Sequence, residues 1–380
     1  MRDEIAAQKK LKVFMVELHS PRNRYILELA RQLRNYCDLT IYSKEENDFT
    51  LENVHWINGF YDGGKGKIGA ILAYGRTLMQ IYGLVTRGHY DILHIQSFKK
   101  ADTEMKLYIH LKKYCKKLVM TVHNALPHEP SEGDLALYKH FYEACDLLIV
   151  HNDTTQKVLE EQFGIPREKI EVIPRGLYDT YETGARAEKK DGRFHFTCFG
   201  RIRPYKGVDI LIRAIGLLTK EERQKCLFTI KGEQYPQLDK TDYRAMIRDL
   251  GIEDCVDFSP ERVPEEQIPT LMGETDAMVF PYRVIYGSGV LLMAYTFGIP
   301  VIASDIPSFV EGTNNGESGL LFQSENPEAL KDALLKALTW DEQQVAAYKK
   351  GIEKIVAERH SWKVTAQRTE NALRRVLARP

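Results

Sequence analysis

The stretch FGRIRPYKGVDIL, residues 199–211, places three cations, Arg201, Arg203 and Lys206, in a short loop between a strand-like run and a helix-like one. Cations at such a junction suit an anion, and each charge-assisted hydrogen bond contributes about 1.5–3 kcal/mol. A diphosphate is the obvious candidate. The competing reading is a loop whose cations pair with nearby acids such as Asp209. A second stretch, PYRVIYGSGVLLMAYTFGIPVIASD at 281–305, sets Gly287, Ser288 and Gly289 between a strand and a helix. Bare N–H groups at a helix start bind phosphate or sugar oxygens, and glycine lets a ligand approach closely. The spacing is neither GxGxxG nor the GK[ST] of a P-loop, which weighs against hydride transfer and NTPase chemistry. There is no Asp-x-Asp and no His/Cys cluster with ligand spacing, so neither a metal nor a cofactor is expected. No pair of carboxylates stands out for glycoside hydrolysis.

The elements around these loops alternate. LKVFMVEL, CDLTIYS, YDILHIQS, KKLVMTVHN, CDLLIVHN and KIEVIPRG read as strands, with helical patterns such as RNRYILELARQLRN between them. Asp153 or Thr154 is placed to cap the helix DTTQKVLEEQFG. Continuous Val/Ile/Leu runs indicate strands covered on both faces, hence parallel sheets. A polar stretch at 178–193 has no period and reads as a linker. The alternation then restarts with FHFTCFG, VDILIRAIGLL, CLFTIKG, DYRAMIRDLG, CVDFSP, AMVFPY and IPVIASD. The expected fold class is α/β: two Rossmann-like, doubly wound domains facing across a cleft, with ligands at the C-terminal strand ends. The boundaries fall at 1–178 and 179–361, with the last helix, 362–380, packing back onto the first domain.

Lys and Arg total 53, balanced by 53 Asp and Glu, so the overall charge gives no reason to expect nucleic acid. Between Tyr61 and Met120, however, cations outnumber acids, with Lys99, Lys100, Lys106, Lys112, Lys113, Lys116 and Lys117 among them. Such a surface suits anionic lipid or a phosphorylated acceptor; a solvated helix face is the plainer reading. The most apolar window, 68–85, carries Arg76 at its centre, which would cost about 2.5–3.5 kcal/mol in a bilayer. Ile68, Ile71, Leu72, Leu78, Met79, Tyr82 and Val85 follow helical spacing and are expected to form one buried face. Six scattered cysteines without a CxxC pair and a polar N-terminus lead us to expect a cytoplasmic chain with reduced thiols.

Taken together, FGRIRPYKGVDILIRAI, FTIKGE, MVFPYRVIYGSGVLLMAYTFGIPVIASD and ESGLLF resemble the C-terminal domain of GT4-type glycosyltransferases of the GT-B fold. YDILHIQS, VMTVHN, CDLLIVHN and KIEVIPRGLYD resemble its N-terminal domain, so the likeness spans nearly the whole chain. The resemblance implies a metal-independent, retaining transfer of a hexose from a nucleotide diphosphate sugar, UDP-linked, to a saccharide or lipid-linked saccharide, as in surface polysaccharide synthesis. It implies Arg201 and Lys206 on the donor diphosphate, and His123 near the sugar. Gly287, Ser288, Gly289, Val290 and Glu311 would complete the donor site, with the backbone at Val263 on the base. Peripheral contact with anionic membrane at the inner face fits a lipid-linked acceptor. His19, His94, His128 and His151 carry no assignment.

Two features depart from the family pattern. Its two glutamates seven residues apart fall here on Ile285 and Met293. The glycine pair after the first strand is replaced by HSPRNRY, where Ser20, Arg22 or Asn23 would act instead, or would meet the acceptor. The first departure keeps open a nucleotide-sugar-binding protein without transferase activity. A same-fold nucleotide-sugar epimerase is the other alternative.

Overall fold

The computed structural model describes residues 9–18, 24–44, 51–60, 66–127, 130–177 and 191–379. The chain divides into two compact units: Met1–Gly176 with His360–Pro380, and Leu177–Arg359.

The first unit holds seven parallel strands: β1 (Leu11–Glu17), β2 (Cys37–Lys44), β3 (Val54–Phe60), β4 (Ile92–Ile95), β5 (Lys117–Val122), β6 (Leu147–Val150) and β7 (Ile170–Val172). Their spatial order is β3-β2-β1-β4-β5-β6-β7. Val13, Phe14, Met15 and Val16 of β1 are all fully buried, as a central strand covered on both faces requires. Helix Arg24–Leu33 places Ile26, Leu29, Ala30 and Leu33 on this sheet. Helix Trp362–Leu377 packs beside it, sharing a core through Ala366, Leu373 and Val376. The helix Asp153–Glu161 is capped one residue earlier than the sequence suggested: the Asn152 side chain accepts from the Thr155 N–H at 2.7 Å. Asn152 is the last residue with extended backbone, and that is where a cap must sit.

The second unit holds six parallel strands: β8 (Phe194–Phe199), β9 (Cys226–Lys231), β10 (Val256–Ser259), β11 (Ala277–Phe280), β12 (Val301–Ser304) and β13 (Gly319–Phe322). Their order is β10-β9-β8-β11-β12-β13. Both sheets therefore reverse direction beside their first strand, between β1 and β4 and between β8 and β11. Ligands of doubly wound sheets bind at the carboxyl ends of strands at such a reversal. Each unit is Rossmann-like.

One expectation is overturned. Helix Gly66–Gly88 does not bury the face read from the sequence. Thr77, Ile81 and Val85 are buried, whereas Ile68, Ile71, Leu72, Met79 and Tyr82 are exposed, Ile68 by 76% and Leu72 by 69%. The helix is apolar on more than one side, and spacing alone cannot say which side meets the sheet.

Candidate active site

In the second unit the reversal point brings together the two loops singled out above. Residues 200–207 follow β8, and residues 281–288 follow β11. They are joined tightly. Arg283 N donates to the Tyr205 carbonyl at 2.8 Å, and Gly207 adopts φ +64° against the Pro281 carbonyl oxygen, with which any side chain would overlap. Gly200 has φ +104°, and a Cβ there would lie 2.8 Å from the Lys206 Nζ and 3.2 Å from a Val290 methyl. Gly200, Lys206 and Val290 thus meet at one point.

The three cations of the first loop have separate fates. Lys206 ends a short turn, Pro204–Lys206, and is only 6% exposed. Its Nζ lies 5.0 Å from the centre of the Tyr282 ring, and no carboxylate partner meets it among the described residues. Burial pulls its pKa from the usual 10.5 to about 8, with neighbouring Arg201 adding to the drop. Arg201 is exposed and likewise has no acid beside it among the described residues. Arg203 instead lies over the Tyr235 ring at 5.7 Å. The acid that could have neutralised the loop is already taken. Asp209 accepts both terminal nitrogens of Arg283, at 2.9 and 2.7 Å, and Arg283 also reaches Glu325 at 3.0 Å. The buried ammonium therefore has no carboxylate to neutralise it among the described residues.

Ser288 caps helix Gly289–Thr296, its hydroxyl accepting from Leu291 N–H at 3.2 Å. The N–H groups of Gly289 and Val290, in the first turn, have no acceptor within the helix. Gly287 is exposed just before it. Val263 is half-buried after β10, against the apolar cluster that holds Tyr282 and Leu291. Glu311 lies in helix Pro307–Gly312 after β12, and its carbonyl accepts from Arg359 at 3.3 Å. Met293 is buried and Ile285 packs on the same cluster, so the two positions where the family carries carboxylates are apolar here.

His123 belongs to the first unit, at the end of β5, and is surrounded by partners that sequence reading missed. Its Nδ1 lies 3.0 Å from Arg175 Nη2 and 3.1 Å from His151 Nε2, and its Nε2 lies 3.3 Å from the Gln96 Oε1. Gln96, His151 and Arg175 follow β4, β6 and β7, so four adjacent strand ends converge. The Tyr25 ring closes the set, edge-on to His123 at 4.8 Å and 5.3 Å beneath the Arg175 guanidinium. The Ile173 carbonyl can only accept, so His151 keeps its proton on Nδ1, 3.0 Å away. His94 Nε2 accepts from Thr121 and Gln96 at 2.8 and 3.1 Å. Burial holds His94 and His151 down at about 3, and burial with His151 and Arg175 beside it holds His123 well below 6.5. All three rings are neutral near pH 7. The sequence signal for this set was positional: each residue immediately follows or ends a strand run. Ser20, Arg22 and Asn23 lie outside the described residues.

Residues 23–180 match the family model described as Glycosyltransferase Family 4, and residues 182–354 match Glycosyl transferases group 1. The chain belongs to the GT4-type glycosyltransferase family. Among curated relatives of this GT4-type chain, a D-inositol 3-phosphate glycosyltransferase of Corynebacterium glutamicum is 27% identical over 62% of the chain and 59% of that protein. Another, of Corynebacterium aurimucosum, is 26% identical over 67% of the chain and 62% of that protein. The chain thus spans about three-fifths of the length of these two relatives. One of Kribbella flavida is 22% identical over 93% of the chain and 90% of that protein. Among solved structures, sucrose-phosphate synthase from Thermosynechococcus elongatus aligns over 97% of this chain and 100% of its own, with TM-score 0.78 and 16% identity. Anabaena HepE in complex with UDP and glucose aligns over 96% of this chain and 100% of its own, with TM-score 0.72 and 18% identity. The fold is GT-B.

Proposed function

We propose that this chain is a retaining glycosyltransferase that moves a hexose from a UDP-linked donor to a saccharide or lipid-linked saccharide. The observation that carries the reading is the Lys206 ammonium, buried against Gly200 and beside Arg201, with no carboxylate partner for either among the described residues. Breaking the bond between the anomeric carbon and the β-phosphate oxygen leaves negative charge on the diphosphate. Lys206 and Arg201 neutralise that charge where it grows, and fixed donors of this kind contribute about 10²–10³ in rate each. The amides of Gly289 and Val290 hold phosphate or sugar oxygens, with Gly287 leaving room and Ser288 setting the turn. The backbone at Val263 reads the base, and Glu311 completes the donor site. His123, being neutral, orients the sugar by hydrogen bonding rather than by charge. The acceptor hydroxyl attacks the same face of the sugar, and its proton passes to the departing phosphate oxygen. Ser20, Arg22 and Asn23 are assigned to the acceptor.

The glycosyltransferase relatives support a sugar transfer, and the UDP and glucose held by Anabaena HepE support a UDP-sugar. The test is Arg201→Ala with Lys206→Ala, assayed with UDP-sugars against a panel of saccharide acceptors. Transfer should fall by more than about 10³-fold while the thermal midpoint holds; near-normal turnover would refute the assignment. The apolar Ile285 and Met293 favour one second reading, a nucleotide-sugar-binding protein without transfer. UDP-sugar binding with no product from any acceptor would select it.

A further inference from the structure

The exposed side of helix Gly66–Gly88 carries Ile68, Leu72, Met79 and Tyr82 in a stripe at steps of four, seven and three residues, with Ile71 beside it. Leu72 and Met79 are each 69% exposed. Arg76 stands within the stripe, four residues after Leu72 and three before Met79, and Arg87 follows Met79 by eight residues; both are exposed and neither meets a carboxylate among the described residues. A groove of about 630 Å³ beside the helix is lined by Met79, Arg76, Arg87, Tyr42 and Tyr90. On the neighbouring helix, Ala101–Leu111, Lys106 is exposed and unpaired, while just beyond it Lys113 lies over the Tyr114 ring at 5.1 Å.

The acids of this region are withdrawn from its surface. Glu104 is fully buried, accepting from the Tyr74 hydroxyl at 2.6 Å and from the Lys100 N–H at 2.8 Å. Asp91 is held by Lys116 at 2.8 Å. Asp102 is the one exposed acid among the described residues of 66–120. An apolar stripe flanked by cations of one sign, with tyrosines at its edge, has the composition of a helix lying in a lipid interface. Protein–protein contacts deplete lysine and do not gather one sign of charge around an apolar centre.

We propose that this face docks the chain on the surface of an anionic bilayer. The helix lies on the membrane and does not cross it. Thr77, Ile81 and Val85 stay against the sheet, Tyr42 donates to Gln80 at 2.7 Å, and Tyr74 is tied to Glu104. The stripe enters the acyl boundary while Arg76, Arg87, Lys106 and Lys113 meet phosphate head groups, each cation adding roughly fivefold to partitioning.

The test is flotation of the full chain with vesicles of phosphatidylcholine alone and of phosphatidylcholine with phosphatidylglycerol. The wild type should float with the anionic vesicles and stay behind with the neutral ones. Leu72→Glu with Met79→Glu should lower flotation at least about tenfold at an unchanged thermal midpoint, because both side chains already face water. Arg76→Glu with Arg87→Glu should lower it at least about 25-fold, the product of roughly fivefold for each cation. Leu217→Glu with Leu250→Glu, exposed positions of the second unit, should change nothing. The proposal is overturned by a wild type that ignores anionic vesicles, by stripe variants that float as well as wild type, or by a stripe that instead drives self-association without lipid. The readout does not depend on sugar transfer, so UDP-sugar turnover on a soluble acceptor can fail or succeed independently of it.

Discussion

Both units place side chains at the carboxyl ends of their parallel strands, the first after β4 to β7 and the second after β8 and β11, and treat charge there in opposite ways. In the first, Arg175 is given His123 and the face of Tyr25, and His123 is also contacted by His151 and Gln96. In the second, Asp209 is spent on Arg283, and Lys206 is left buried with no carboxylate partner among the described residues. Taking an ammonium from a pKa of 10.5 to about 8 costs about 3 kcal/mol. A fold retains such a cost where a ligand offsets it. Strand order says where chemistry can sit; the balance of partners tells the two sets of strand ends apart.

That contrast can be broken most directly by giving Lys206 an internal partner. Val290→Asp sets a carboxylate beside Gly200 and Lys206, and UDP binding measured by calorimetry should fall by about 10²-fold or more. Unchanged affinity would mean that the phosphate goes elsewhere.

Acid should reveal the other unit. His94 and His151 are held at about 3 in the fold against 6.5 when unfolded, so between those values the unfolded chain binds more protons. Stability is then complete above pH 6.5 and falls as the pH drops, by up to about 1.4 kcal/mol per pH unit for each ring. Thermal midpoints from pH 7 to pH 4 should show this slope, and His94→Gln should flatten it; an unaltered slope in the variant would assign the acid sensitivity to other groups.

Alkali should act on the second unit alone. Anion binding needs the Lys206 proton, so UDP affinity should decline by about tenfold per pH unit above 8, and Lys206→Arg should move that decline out of range. A flat profile to pH 10 would show that Lys206 does not meet the phosphate.

The smallest effect sharpens the comparison as a control. Asn152→Ala removes a helix cap of the first unit and should cost about 1 kcal/mol in denaturant titration, with UDP affinity untouched.

Much of this was legible beforehand because parallel strands announce themselves as unbroken apolar runs. FHFTCFG and AMVFPY fixed where the two donor-side loops begin. The strand β3, VHWINGF, was harder to see, since His55 and Asn58 interrupt its apolar residues. The exposed stripe of helix Gly66–Gly88 was misassigned because periodicity reports that faces exist and not what covers them. Arg175 and His151 escaped notice for a different reason. Their partners come from strands 22 to 52 residues apart, and only the sheet order makes them neighbours.

The bare α-carbon of Gly207 against the Pro281 carbonyl has a practical corollary. The segment bearing the lysine and the segment opening the next helix are riveted at that point, so neither can be lengthened or exchanged by itself. Anyone grafting a different sugar preference onto this scaffold would have to transplant both segments as a single cassette.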